Sequence, residues 1–148
     1  MQGKSEEVKE YQRLVRKNKP KTPIWRNLFW AFVVGGIIAT IGQSVMQWFV
    51  DQGMTPKDAA APTAAVMVFL GSLLTGLGVY DNIARLGGMG AALPITGFAN
   101  SIVAPAMEYR REGWVLGVGA RMFSIAGPVI VYGVVTAVIL AAILAVGR

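Results

Sequence analysis

The chain has 148 residues, 54% of them hydrophobic and only 15% charged, with a formal net charge of +6. Its mean hydropathy of +0.51 lies outside the range of soluble globular domains and places most of the chain in a bilayer. With no cysteine and no histidine, a disulfide framework, a thiolate metal site and a histidine general base are all excluded.

The charge is unevenly placed. Residues 1–26 carry Lys4, Lys9, Arg13, Arg16, Lys17, Lys19, Lys21 and Arg26 against Glu6, Glu7 and Glu10, so a net +5 precedes the first apolar run. Such a cluster is the usual signal for a cytoplasmic N-terminus and also attracts anionic headgroups. No aromatic residues interleave it in the manner of a nucleic-acid surface, so no nucleic-acid partner is expected. It is also too long for the n-region of a cleaved signal peptide. Ser5 as N-cap, Glu6 and Glu7 in the first turn and Pro20 as a stop predict a helix over 5–18. Val8, Tyr11 and Val15 share one face of it, which suits either the headgroup region or a solvated tail.

The first span is expected over Leu28–Val50, 23 residues without a charge, flanked by Trp25, Trp30 and Trp48 as an aromatic belt would be. The second is expected over Pro62–Tyr80, after an acidic loop with Asp51, Lys57 and Asp58 and before Arg85. The two make an in–out–in hairpin. Residues 86–107, with Gly87, Gly88, Gly90, Pro94, Gly97 and Pro105, are too apolar for an aqueous loop and poor in helix formers. Irregular backbone at membrane depth must be buried in protein or line a water-filled cavity. The last run, 114–147, would be roughly 50 Å long as one helix against a hydrocarbon core of roughly 30 Å. It must tilt or break, and Gly127 and Pro128 are the expected break, leaving Trp114–Ala126 and Val129–Gly147. The resulting fold is all-α and membrane-integral. It has about three full spans, a broken or re-entrant helical pair with breaks at Pro94 and at Gly127–Pro128, and the short basic N-terminal helix. Residues 1–26 form the cytoplasmic or interfacial segment and 27–148 a single transmembrane domain, with the C-terminus opposite the N-terminus.

Polar residues within the spans carry the functional signal. Gly36, Thr40, Gln43, Ser44, Gln47 and Asp51 recur at three- and four-residue spacing, one helical face set against Phe32, Ile38, Val45 and Phe49. Glutamines in hydrocarbon need partners, either in a neighbouring helix or in a wet pathway. Gly71, Thr75 and Gly78, and Gly113 with Gly117, form small-residue faces suited to close packing. Arg121, Ser124, Pro128, Tyr132 and Thr136 give the last run a polar face. Arg121 costs at least roughly 2.5–3.5 kcal/mol at the bilayer centre unless it meets protein or water. It either snorkels to a headgroup or attracts an anion, for which its fork suits carboxylates. Candidate pathway-lining residues are therefore Thr40, Gln43, Gln47, Thr96, Asn100, Arg121, Ser124 and Tyr132. Gly76-Leu-Gly78 and Gly87-Gly88-Met-Gly90 lack the strand–turn–helix setting of a dinucleotide site. No Ser–base or carboxylate constellation suggests hydrolysis. No catalytic residue, cofactor or metal site is expected.

Several segments together carry a resemblance: Val34 to Gln43, Leu77-Gly-Val-Tyr-Asp81, Pro94 to Ile102, Pro105 to Gly113, and Gly117 to Pro128. With the basic tail holding Tyr11 and Pro20, the chain resembles the stage V sporulation protein AC family of spore-forming Firmicutes. The related AE (AEb) proteins are similar only from the first span onward. The resemblance implies a subunit of a spore inner-membrane complex that moves dipicolinic acid, as its calcium chelate, into the forming spore and out at germination. It implies the AE membrane protein and the soluble AD protein as companions, and an N-terminus on the core side. The alternative expectation is a structural membrane scaffold that recruits a soluble partner while another subunit conducts.

Overall fold

A computed structural model of the chain describes residue 8, residues 10–15 and residues 23–146. Residues 8 and 10–15 are helical and exposed; the rest of the helix expected over 5–18 lies outside the described residues. From Pro23 the order is α1 (Ile24–Asp51), α2 (Pro56–Gly76), α3 (Tyr80–Gly87), α4 (Met89–Ala92) and α5 (Ile95–Glu108). A 3-10 turn (Tyr109–Glu112), a π-helical turn (Trp114–Gly119) and α6 (Ala120–Val146) follow. The all-α fold is as expected, and three helices are long and apolar enough to cross a membrane: Ile24–Asp51, Pro56–Gly76 and Trp114–Ala145.

α2 begins six residues before the expected start at Pro62 because a capping signal lies upstream. The Thr55 hydroxyl accepts the Asp58 N–H at 3.3 Å and donates to the Asp58 carboxylate at 2.6 Å. Pro56 holds the first helical position, where a missing N–H is harmless. Pro62 then rides inside the helix. At the other end Gly78 takes φ +70 and its N–H bonds Thr75 O at 2.9 Å, which stops α2 at Gly76. Tyr80, expected to close the second span, opens α3 instead.

Residues 86–107 are more helical than their glycines and prolines suggest, but the helices are short and twice interrupted. Gly88 has φ 51, ψ −125, a conformation essentially closed to residues with a Cβ. Pro94 is extended at φ −61, ψ 162 and starts α5. The expected break at Pro94 is present. Tertiary packing overrides weak propensity here: a Cβ on Gly71 would lie 2.7 Å from Thr96 O, and one on Gly87 would lie 2.6 Å from Val34 Cγ1.

The break expected at Gly127 and Pro128 is corrected. The backbone continues from the π-turn at Trp114 through Pro128 to Val146. Proline's fixed φ is itself helical, so the helix continues although Pro128 forfeits its bond to the Ser124 carbonyl and its ring crowds that carbonyl. Trp114–Ala126 is therefore the start of the last helix and not a separate piece. The irregularity sits at Gly113 (φ 96, ψ 170) and the π-turn after it. A helix of 32 residues exceeds the hydrocarbon core and is accommodated by tilt or projection. Pro128→Ala should keep this helix and raise unfolding resistance by about 1–3 kcal/mol. The unfolding midpoint in detergent checks this, and a lower midpoint would show that Pro128 is needed.

α5 packs most closely on α2. α1 packs on α2, α3 and α4, and α6 on α5. The buried core is small: Val34, Met67, Tyr80, Ala91, Ala99 and Ala126 with Ala59, Thr75 and Thr96. Most remaining apolar side chains face outward, as the lipid-facing residues of a membrane protein do.

Candidate functional site

The first group of candidates sits on α1. Thr40, Gln43 and Gln47 are exposed and share one face with Gly36, Ser44 and Asp51. Thr40 Oγ1 donates to Gly36 O at 2.8 Å and Ser44 Oγ to Thr40 O at 2.9 Å. Gln47 Nε2 donates to Asp51 Oδ1 at 2.9 Å. These bonds satisfy the hydroxyls and part of Gln47. The Gln43 amide has no partner among the described residues. Two shallow grooves follow this face, one of about 510 Å³ along Phe32, Gly36, Thr40 and Ser44 and one of about 530 Å³ along Thr40, Gln43, Gln47 and Asp51. Phe32, expected on the opposite face, lies one turn before Gly36 and lines the first groove. It is 80% exposed.

The second group is interior. Thr96 is buried and Asn100 half-buried, and neither opens onto the α1 face. Tyr80 Oη lies 2.8 Å from Ala91 O and 2.8 Å from Thr96 Oγ1. A carbonyl only accepts, so the single phenolic proton goes to Ala91 O and the Thr96 hydroxyl donates to the phenol oxygen. Thr75 Oγ1 lies 2.6 Å from Gly71 O and 2.9 Å from Asn100 Oδ1, tying α2 to α5. Gly71 and Thr75 thus form the close-packed face expected of α2, whereas Gly78 serves the turn. The sequence reading missed Tyr80. Its signal is a hydroxyl-bearing ring at the end of an apolar run, two residues after a glycine stop.

The third group is on α6. Arg121 is exposed, and its guanidinium lies 4.3 Å from the centroid of the Tyr109 ring. That is cation–π range. Tyr109 belongs to the polar turn Tyr109–Glu112, so Arg121 is held next to that turn. Residues 122–146 carry no charge, and as helix they measure roughly 37 Å, enough to span without Arg121. A span over 122–146 would place Arg121 at the membrane edge. Ser124 Oγ donates to Arg121 O at 2.7 Å. Tyr132 is 73% exposed. Gly117 is buried against Tyr109 and Glu112, while Gly113 forms the turn.

The candidates among the described residues thus occupy three separate places: the outer face of α1, the interior between α2 and α5, and α6. Among the described residues no group of three or more Asp, Glu, His or Cys side chains converges.

This is an all-α integral membrane protein with a broken central segment and polar faces turned outward from a small core. The family model of the SpoVAC/SpoVAEB sporulation membrane protein matches residues 27–143. The chain is 46% identical over 134 residues to stage V sporulation protein AC of Bacillus subtilis (strain 168), covering 89% of each chain. The chain belongs to the SpoVAC/SpoVAEB sporulation membrane protein family. No solved structure matches it.

Proposed function

We propose that this chain is a membrane subunit of a spore inner-membrane complex that moves dipicolinic acid, as its calcium chelate, into the forming spore and out at germination. The single observation that supports the reading most is the outward polar face of α1. Gln43 and Gln47 lie in a helix that must cross hydrocarbon, and an amide bare to lipid costs several kcal/mol. Something polar covers that face in the working assembly. One protomer has too few spans to enclose a wide conduit, so the wall is completed by further copies, by the related AE (AEb) protein, or by both. The soluble AD protein completes the complex from the aqueous side, and the N-terminus lies on the core side. Dipicolinate is a planar dianion, so its route needs room, donors and positive potential. Gln43 and Gln47 supply donors along α1, and Arg121 supplies charge at the membrane edge. Thr96 and Asn100 stand behind this wall and hold its supporting helices.

Liposomes loaded with calcium dipicolinate test the reading. Release from vesicles holding this chain with the AE protein, above that from empty vesicles, is the expected result. Release with the chain alone would make it sufficient for the wall. No release in any combination, with correctly inserted protein, would overturn the proposal in favour of a scaffold that recruits a soluble partner while another subunit conducts.

A further inference from the structure

We infer that residues 88–97 form a hinged segment inside the membrane domain and that the Tyr80 hydroxyl is the latch that holds it shut. The inference stands on the geometry of this segment and not on the transport reading. Two breaks bound α4. Gly88 is held at φ 51, ψ −125 and Pro94 is extended at φ −61, ψ 162, and such element-terminal positions absorb hinge rotations. The helix between them has only the four residues Met89–Ala92, with Leu93 as its C-cap, too few to hold a helix by their own hydrogen bonds.

What holds α4 comes from outside it. Tyr80, at the start of α3 and only 2% exposed, donates across the first break to Ala91 O at 2.8 Å. The same oxygen accepts from Thr96 beyond the second break, also at 2.8 Å. One phenol therefore ties α3, α4 and α5 together across both interruptions. The carbonyl it satisfies sits in an interior with few other donors, so losing the bond leaves that carbonyl unpaired. The ring also lines an apolar cavity of about 480 Å³ walled by α1, α2, α3 and Thr96 of α5, with Ile37, Met67 and Leu74 among its sides. Of the segment, Thr96 borders this space. The two hinges make a second arrangement reachable, and the phenol, with the seat of Gly90 on α1, holds the first.

Hydrogen–deuterium exchange of the full chain in lipid nanodiscs tests this. Tyr80→Phe keeps the ring and removes only the hydroxyl. It should speed exchange of the amides of residues 89–98 by roughly tenfold, with α1 and α2 unchanged. Thr96→Val should have a smaller effect on the same amides. The double variant should exchange at nearly the rate of Tyr80→Phe, because one network is being broken. Unchanged exchange in Tyr80→Phe would overturn the latch. Equal acceleration across α1 and α2 would also overturn it, showing Tyr80 to be an ordinary core side chain. Additive effects of the two substitutions would show that the two bonds do not act as one tie.

Discussion

Gly90→Val should leave little or no folded protein in the membrane. A Cβ at this position would run into the Ala31 carbonyl oxygen and lie 2.7 Å from the Ala31 carbonyl carbon. The opposing atoms are backbone of a 28-residue helix, and no flexible side chain can yield. The approach is mutual, since a Cβ on Gly35 would lie 3.2 Å from Gly90 O. α4 must therefore leave α1 altogether, which removes the seat of the broken segment. Overpacking in ordinary cores costs about 1–3 kcal/mol because side chains rearrange; here the cost should exceed that range. Gly127→Ala provides the control. No neighbour lies within 4 Å of its added methyl, and alanine is the better helix former by about 1 kcal/mol. Membrane content and the unfolding midpoint of both variants decide the matter. A Gly90→Val protein with normal content and an unchanged midpoint would show that α4 does not sit on α1.

The contrast between these glycines shows what sequence can and cannot reveal. Composition and charge placement were enough to read an all-α membrane protein with three long spans, because apolar run length is a one-dimensional property. Local capping at Thr55–Asp58 is also visible in the sequence, yet the charges of Lys57 and Asp58 read as loop and move the expected start to Pro62, although a helix's first turn accommodates such charges. Pro128 reads as a break by sequence, but whether a helix breaks at a proline depends on what surrounds it. The partners of Gly90, Gly97 and Tyr80 are set by three-dimensional packing, which no spacing rule encodes. The same holds for the candidate residues. Thr40, Gln43 and Gln47 share a face by helical arithmetic alone, and that arithmetic also puts Phe32 on their side. Thr96 and Asn100 look alike as polar residues in an apolar, glycine-rich stretch, but their hydroxyl and amide are engaged by Tyr80 and Thr75. Arg121 looked central in an apolar run until the Tyr109 ring drew it toward the polar turn.

The largest functional effect is expected from the α1 face. In the liposome assay, Gln43→Leu with Gln47→Leu should lower dipicolinate release by about tenfold or more, equivalent to at least ~1.4 kcal/mol of lost stabilisation along the route. Leucine fits a lipid-exposed helix well and neither residue is buried, so the amount of protein in the membrane should hold. Gln47→Leu also frees Asp51 from its 2.9 Å hydrogen bond, but Asp51 ends the helix and can turn to water. Arg121 acts on the same solute by charge. Arg121→Lys retains the charge and loses the bidentate fork and much of the stacking on Tyr109, so release should fall only partly. Arg121→Gln removes the charge and should reduce release much further at equal protein content. Raising the salt should shrink the difference between arginine and glutamine, since a charge at the membrane edge is screened. If the leucine pair instead separates the subunits on a sizing column, the face packs against a neighbour and is not wet. Normal release in both the leucine pair and Arg121→Gln, at normal protein levels, would leave these residues with no part in the route.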